Sequence, residues 1–344
     1  MQPSFSWTLS HASAAGGAAL WCGLLVFPLP TDPLTGWIQR LLLVAPLVIV
    51  PLVLTQTVPD RQAHPWEQWL HWLAACVQPP LALTAVGSLM IPTGLWAAAA
   101  SIPWLAQTLV LALLGLARLW GRFAPPGDTG AAAQAPLLQR LGPIEELAID
   151  AGLLYVPVGG AWWLASRYGG PVMGFDALIV VLTAAHFHYA GLAAPVITGL
   201  VGRLVPEGRP LARRAYAVAA TAAIVGPPLI AIGITLSPLL EVVCAVILAM
   251  GLLVLSVLMF TVVAPRLPWG PALLSMVAST SLLVTMALAC TYAVAEFREV
   301  VWVTIPSMAQ IHGAINVFGF SLCGLLAMVW AAPPPRGSSS YVES

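Results

Sequence analysis

Two histidines stand inside an apolar stretch of the sequence, in the string LTAAHFHYAG at residues 182–191. An imidazole can accept or donate a proton near neutral pH, and it can bind a metal ion or a haem iron. His186 and His188 are two residues apart, which places them about 200° apart around a regular helix. They therefore cannot serve one site together. His186 shares its face with Thr183 and Tyr189, whereas the face of His188 is apolar and mostly small.

Carboxylic acids lie in a second apolar stretch, LGPIEELAIDAGLLYVPVGGAWWLAS, at residues 141–166. Glu146 and Asp150 are four residues apart and share one face of a helix, and Asp150 is two turns into the segment. A carboxylic acid that is kept neutral by apolar surroundings can donate a proton to a substrate, and a neutral histidine can accept one. The acids and histidines together predict an acid–base site.

A third polar group lies in SMAQIHGAINVFGFSLCG at residues 307–324, where His312 and Asn316 are four residues apart. If this segment packs against the other two, its polar groups join the same site. The predicted catalytic residues are His186, Asp150, Glu146, His312 and His188. The predicted substrate-binding residues are Tyr189, Asn316, Thr183, Tyr155, Trp162 and Gln78; Gln78 stands beside Pro79–Pro80, which we expect to interrupt its helix.

The composition indicates which elements position these residues. Of the 344 residues 60% are hydrophobic and only 8% are charged, and the mean hydropathy is +0.92. These values predict a membrane-embedded, all-α bundle in contact with the lipid bilayer. The net charge is zero, so no basic surface for nucleic acid is predicted. Ten apolar stretches are long enough to span a membrane, at residues 10–29, 37–56, 69–90, 95–117, 142–166, 175–199, 212–236, 239–263, 269–292 and 304–331.

Arginine placement predicts the orientation of the spans. With ten spans, ten arginines fall on the side of both termini, namely Arg61, Arg118, Arg122, Arg140, Arg203, Arg209, Arg213, Arg214, Arg266 and Arg336. Three fall on the other side, namely Arg40, Arg167 and Arg298. The positive-inside rule then places both termini in the cytoplasm and the protein in the bacterial inner (plasma) membrane. Residues 1–331 are predicted to form one transmembrane domain, and residues 332–344 a disordered cytoplasmic tail.

Two resemblances bear on the function. The string AHFHYA resembles the tenth helix of haem–copper oxidases, but the other histidines of that family are absent, which argues against oxidase activity. The strings YVPVGGAWWLASR (155–167), GFDALIVVLTAAHFHYAGLAAPVITGL (174–200) and IHGAINVFGF (311–320) resemble the YndJ-like family of bacterial polytopic membrane proteins. That resemblance implies a multi-span inner-membrane protein and no particular chemistry.

Three functions remain open from the sequence. The first is an acid–base enzyme, of isomerase or cyclase type, acting on a lipid or isoprenoid-like substrate. The second is a proton-coupled transporter or exporter of a small hydrophobic molecule, in which the same groups relay protons. The third is a non-catalytic membrane protein whose polar groups only fix helix packing. No cofactor or metal is predicted, and haem bound through His312 with His186 or His188 stays open as an alternative.

Overall fold

The structure, a computed structural model, describes residues 3–60, 62–123 and 141–331. These residues form ten long helices and no β-strand. The all-α membrane architecture predicted from the sequence is thus confirmed. The helices are α1 (Pro3–Leu24), α2 (Pro33–Gln56), α3 (Pro65–Met90), α4 (Leu95–Phe123), α5 (Ile144–Tyr168), α6 (Ala177–Gly202), α7 (Pro210–Leu236), α8 (Pro238–Arg266), α9 (Trp269–Phe297) and α10 (Ile305–Ala331).

Nine of the described helices, α2 to α10, are long and apolar enough to cross a membrane. The first helix, α1, is not among them. It also begins and ends earlier than the predicted span 10–29, and Pro28 and Pro30 lie in the connection that follows it. The predicted tail, 332–344, and the arginines Arg61, Arg140 and Arg336 lie outside the described residues.

Two predicted details of the helices are wrong. The helix α4 continues to Phe123 rather than ending at 117, so Arg118 and Arg122 lie within it and not in a loop. The helix α3 runs without interruption through Pro79–Pro80. In the turn before these prolines it is held to two neighbours, because Gln78 hydrogen-bonds to α2 and the Gln107 amide of α4 donates to the Ala74 carbonyl, 3.1 Å away.

The two ends of the bundle are distinguished by the charges that they carry. We call the end formed by Phe123, Ile144, Gly202 and Pro210 the arginine end, and the end formed by Tyr168 and its neighbours the opposite end. Exposed aromatic side chains form a belt at each of the two ends, as is typical of the membrane–water interfaces. At the arginine end they are Trp66, Trp69, Trp120, Trp269 and Trp330, and at the opposite end they are Phe27, Trp96, Tyr168, Phe297 and Trp302.

In α6 and α10, many more residues are buried towards the arginine end than towards the opposite end. In α6, all nine residues of Ala194–Gly202 are buried, against four of the twelve in Ala177–His188. In α10, Ala309 is the one buried residue of Ile305–Ala314, whereas five residues of Cys323–Ala331 are buried. The first halves of α6 and α10 are therefore the loosely packed halves of these two helices.

The helix α2 lies in the middle of the bundle, and 94% of its most apolar 18-residue stretch is buried. Its sequence LLLVAPLVIVPLVL is apolar on every face, as a fully buried helix requires. A π-helical turn at Ala45–Ile49 interrupts it, and similar turns lie at Tyr189–Ala193 in α6 and Ile315–Leu322 in α10. The turn of α10 contacts the turns of α2 and α6, and a hydrogen bond from Tyr189 joins the turn of α6 to the backbone of α2. The three irregular turns therefore meet near mid-depth of the bundle.

Candidate intramembrane site

His186 lies about 13 Å along α6 from its first residue, at 1.5 Å of rise per residue. Its Nδ1 is 2.8 Å from the Leu182 carbonyl oxygen. Since a carbonyl can only accept, Nδ1 carries the proton and Nε2 carries a lone pair. Among the described residues, no hydrogen-bond partner is found for Nε2. The residue is exposed, so this nitrogen is accessible from outside the protein chain.

His188 has both ring nitrogens bound to protein. Its Nδ1–H donates to the Ala184 carbonyl, 2.8 Å away, and its Nε2 accepts from the indole Nε1–H of Trp104, 3.1 Å away. The ring is fully buried and stacks on Trp104, with Trp163 edge-on to it. Two hydrogen bonds therefore fix the ring of His188 on the apolar, mostly small face of α6.

The fold makes room for His188 through Gly159 of α5. A Cβ atom at residue 159 would lie 2.6 Å from Nδ1 of His188, which is too close for any real side chain. Glycine at this position lets α5 and α6 approach closely, as small residues do between membrane helices. The close contact fixes His188 against α5 and turns His186 away from it, because the two residues lie on opposite faces of α6.

His312 belongs to a closed hydrogen-bond network between α9 and α10. Its Nδ1–H donates to the Thr285 carbonyl at 3.1 Å, and its Nε2 accepts from the amide Nδ2 of Asn316 at 2.9 Å. The Asn316 oxygen in turn accepts from the Thr285 hydroxyl at 3.2 Å. His312 is near enough to His186 for the two rings to interact electrostatically. Both histidines lie in the less buried halves of their helices.

The deep carboxylates are bound by arginines of α4. Arg118 donates from Nε to Asp150 Oδ1 and from Nη2 to Glu146 Oε2, each across 2.7 Å. Arg122 also donates to Asp150, through Nη2. Asp150 is buried, and a charge at such depth survives because it is paired and hydrogen-bonded. Glu67 of α3 is buried beside this group and interacts electrostatically with Arg118.

A second set of ion pairs extends the cluster to the ends of α6 and α7. Arg203 holds both Glu146 oxygens in a bidentate pair, at 2.7 and 2.8 Å. Arg213 pairs with Glu145 at 3.3 Å and with Glu207 at 3.2 Å. Together these contacts connect α4, α5, α6 and α7 at the arginine end. We call the residues Glu67, Arg118, Arg122, Glu145, Glu146, Asp150, Arg203 and Arg213 the charge cluster; the exposed Glu207 lies beside it.

The sequence predicts that Asp150 or Glu146 approaches a deep histidine. Among the described residues this prediction is wrong. Both carboxylates bind arginines instead. The contact of His188 with Gly159 places the histidine nine residues along α5 from Asp150, or about 13 Å. The residues predicted as one catalytic set thus divide into four groups: the acids of the charge cluster, the packed His188, His312 in its network with Thr285 and Asn316, and the accessible His186.

Two predicted substrate-binding residues flank His186 but are already engaged. The Tyr189 hydroxyl donates to the Leu41 carbonyl of α2, which ties the irregular turn of α6 to the regular helix just before the irregular turn of α2. The Thr183 hydroxyl donates to the Ile179 carbonyl one turn earlier, at 2.8 Å. Each side chain keeps acceptor capacity on its oxygen, so each could still accept a hydrogen bond from a ligand beside His186.

Two others, Tyr155 and Gln78, satisfy carbonyls that prolines leave without a donor. Tyr155 donates to the Ile224 carbonyl at 2.7 Å; the residue four positions further along α7 is Pro228, which has no N–H. Gln78 donates to the Pro46 carbonyl at 2.6 Å, where the π-helical turn makes Pro51 the residue opposite. Helix packing therefore explains why a polar side chain stands at each of these two positions.

Trp162 lies towards the opposite end of α5, with its ring 6.2 Å from that of Phe175. It therefore contacts the connection between α5 and α6 rather than any of the deep histidines. This position suits the interfacial aromatic role that is usual for tryptophan near the end of a span.

Known proteins match the part of the chain that contains these residues. The family model described as YndJ-like protein matches residues 40–320. A relative from Bacillus subtilis (strain 168), the "Uncharacterized membrane protein YndJ", is 33% identical over 278 residues. The chain belongs to the YndJ-like family. The alignment covers 81% of this chain but 45% of the relative, so the chain spans about half the length of the curated relative. No solved structure matches this YndJ-like chain.

The described part of this YndJ-like protein contains no group of three or more His, Cys, Asp or Glu side chains that could hold a metal ion. The ring nitrogens of His188 and His312 are all within hydrogen-bond distance of protein atoms. A haem or metal bound through these two histidines would require those bonds to break.

Several residues that define the site were missed by the sequence reasoning. Arg118 and Arg122 were assigned to a loop, and Trp104, the partner of His188, was not considered. One signal was present: Arg118 and Arg122 are four residues apart, as are Glu146 and Asp150. Two such pairs on neighbouring antiparallel helices have matching spacing and opposite charge, which is the pattern of an interhelical ion-pair network.

Proposed function

We propose that this YndJ-like protein is a proton-coupled carrier, in the bacterial plasma membrane, for a small hydrophobic molecule that binds at His186. One observation carries the proposal. Of the three deep histidines, His186 is the one whose second ring nitrogen has no partner among the described residues. An accessible lone pair at such depth costs free energy unless a ligand or water occupies it.

The tautomer of His186 defines the class of ligand. Because Nδ1–H is bound to the Leu182 carbonyl, Nε2 of the neutral ring can only accept. The ligand must therefore offer a donor, such as a hydroxyl, an ammonium group or a carboxylic acid. The surrounding chain is apolar, so the rest of the ligand is hydrophobic. An isoprenoid alcohol meets both requirements.

A carrier agrees with the geometry better than the acid–base enzyme expected from the sequence. The enzyme needs a protonated carboxylic acid close to the base, and Asp150 and Glu146 are held by arginines. A carrier needs a binding site that opens to one side while the other side is closed. The halves of α6 and α10 at the opposite end are loosely packed and those at the arginine end are densely packed, which is an asymmetry of this kind.

Binding is tested with farnesol, whose hydroxyl donates, and farnesyl methyl ether, whose oxygen cannot donate. We expect farnesol, but not the ether, to raise the unfolding temperature of the purified protein in detergent. The increase should disappear in His186→Ala and persist in His188→Asn, each compared with its own unliganded state. An equal increase in wild type and His186→Ala would exclude His186 as the binding group.

Transport is tested in liposomes that contain the protein and entrapped pyranine, a pH-sensitive dye. Addition of farnesol should move protons in the wild type and not in His186→Ala. The recovered farnesol should be chemically unchanged by mass spectrometry. A new product that requires His186 would instead support the acid–base enzyme and overturn the carrier.

A further inference from the structure

The charge cluster is more elaborate than helix packing requires. Asp150 and Arg118 are both buried, and removing two charges from water costs several kcal/mol per ion before their attraction offsets it. Apolar residues of similar volume often stabilise a protein as well or better at such positions. A buried ionic network is better explained by a role that needs contacts able to break and re-form.

The cluster lies where it would close the bundle. Its ion pairs join α4, α5, α6 and α7, all at the arginine end. Arg203 also reaches the Gln56 carbonyl at the end of the central helix α2, although at 3.4 Å. Opposite this end, the first halves of α6 and α10 are loosely packed around His186.

One helix connects the candidate ligand site with the charge cluster. The first half of α6 carries His186, and Arg203 directly follows its last residue, Gly202. Between them lies the π-helical turn Tyr189–Ala193, next to the corresponding turns of α2 and α10. Irregular turns of this kind are frequent at functional sites and mark places where a helix can bend.

We infer that the charge cluster is the gate that closes the arginine end, and that α6 couples it to His186. This inference rests on the proposed carrier function. A ligand at His186 draws the loosely packed halves of α6 and α10 together. The bend at Tyr189–Ala193 then moves the second half of α6, which separates Arg203 from Glu146 and opens the arginine end.

The gate is tested by thiol labelling, which needs no ligand. The five native cysteines are replaced by alanine, and a single reporter, Thr198→Cys, is introduced in the densely packed half of α6. Thr198 is fully buried, so the reporter should react slowly with a membrane-impermeant thiol reagent applied to the arginine end. Glu146→Gln, which weakens the pairs with Arg118 and Arg203, should increase the labelling rate by at least about tenfold.

Two further variants make the result specific. Arg203→Gln is a milder change at a partly exposed residue, and it should also increase the labelling rate. The same increase in both variants would show that the effect of Glu146→Gln does not come from misfolding. Glu207→Gln removes the same charge at an exposed residue outside the cluster and should leave the rate unchanged. A second reporter, His186→Cys, should react from the opposite end in each background.

The outcomes separate the gate from the carrier. Slow labelling of Thr198→Cys in both Glu146→Gln and Arg203→Gln, in protein that remains monodisperse, would overturn the gate. Equal acceleration by Glu207→Gln would overturn it as well, because the effect would not depend on the buried pairs. Neither result would depend on farnesol binding, which separately decides whether His186 is the ligand site.

Discussion

The indole of Trp104 on α4 donates a hydrogen bond to Nε2 of His188 on α6 and stacks on its ring. The two residues are 84 positions apart in the sequence and both are fully buried. With Nδ1–H bound to the Ala184 carbonyl, His188 is held in one tautomer and one orientation. It is a structural residue, and it leaves His186 as the deep histidine with a free nitrogen among the described residues.

Trp104→Phe should destabilise the protein. The variant keeps an aromatic ring beside His188 but removes the donor, so a buried nitrogen loses its hydrogen bond. The expected loss is about 1–3 kcal/mol in the free energy of unfolding. It can be measured by unfolding the purified protein in detergent. Trp96→Phe, at an exposed tryptophan of the same helix, is the control and should change little. Equal stability of the two variants would contradict the role assigned to this bond.

Gly159→Ala should also be destabilising, because the added methyl group would overlap the His188 ring. Overpacking of this kind costs typically about 1–3 kcal/mol in the free energy of unfolding. The matched control is Gly16→Ala in α1, where a Cβ atom meets no other atom within 4 Å. If thermal unfolding of the two alanine variants were the same, α5 and α6 would not approach as closely as described.

The sequence predicted the spans well because their signal is local. A stretch of about 20 apolar residues is visible without knowledge of its neighbours. The error at Arg118 and Arg122 has the same origin: a hydropathy criterion ends a span at the first arginine, although a paired arginine can lie inside a helix. The partner that makes this possible, Asp150, is on another helix.

The site was harder to predict because it depends on which helices meet. Spacing on α6 correctly separated the faces of His186 and His188. It could not indicate that Trp104 would occupy the His188 face or that arginines rather than histidines would bind Asp150. Those pairings are set by tertiary packing between distant segments.

Asp150→Asn should strongly destabilise the protein, since it removes the charge that both Arg118 and Arg122 bind. Breaking a buried ion pair from one side costs about 3–5 kcal/mol, because the remaining charge is left uncompensated. Unfolding in detergent measures the effect. Glu207→Gln, at an exposed carboxylate, should cost far less. Comparable losses in the two variants would mean that burial does not matter to the cluster.

Tyr155→Phe should cost about 1 kcal/mol, because the Ile224 carbonyl would lose the hydroxyl that satisfies it. The cost should depend on Pro228, whose missing N–H leaves this carbonyl without a helical donor. In a Pro228→Ala background the alanine N–H can take over, so Tyr155→Phe should there be nearly neutral. A double-mutant cycle on the unfolding free energy measures this coupling. A coupling of zero would show that Tyr155 does not compensate for the proline.

The topology prediction concerns the loops on either side of α6. Arg203, Arg209, Arg213 and Arg214 lie around the connection from α6 to α7, whereas Arg167 is the arginine nearest to the connection from α5 to α6. Arg167 is almost fully buried and donates to the Ser88 and Ile91 carbonyls, so it caps the end of α3 rather than charging the loop.

The positive-inside rule then predicts that the arginine end faces the cytoplasm. A fluorescent-protein fusion at Glu207 should fluoresce and an alkaline phosphatase fusion there should be inactive, with the reverse pattern at Gly170. Membrane insertion of each fusion is checked by immunoblot of the membrane fraction. Phosphatase activity at Glu207 together with fluorescence at Gly170 would invert the orientation, and the charge cluster would then close the outer side of the membrane.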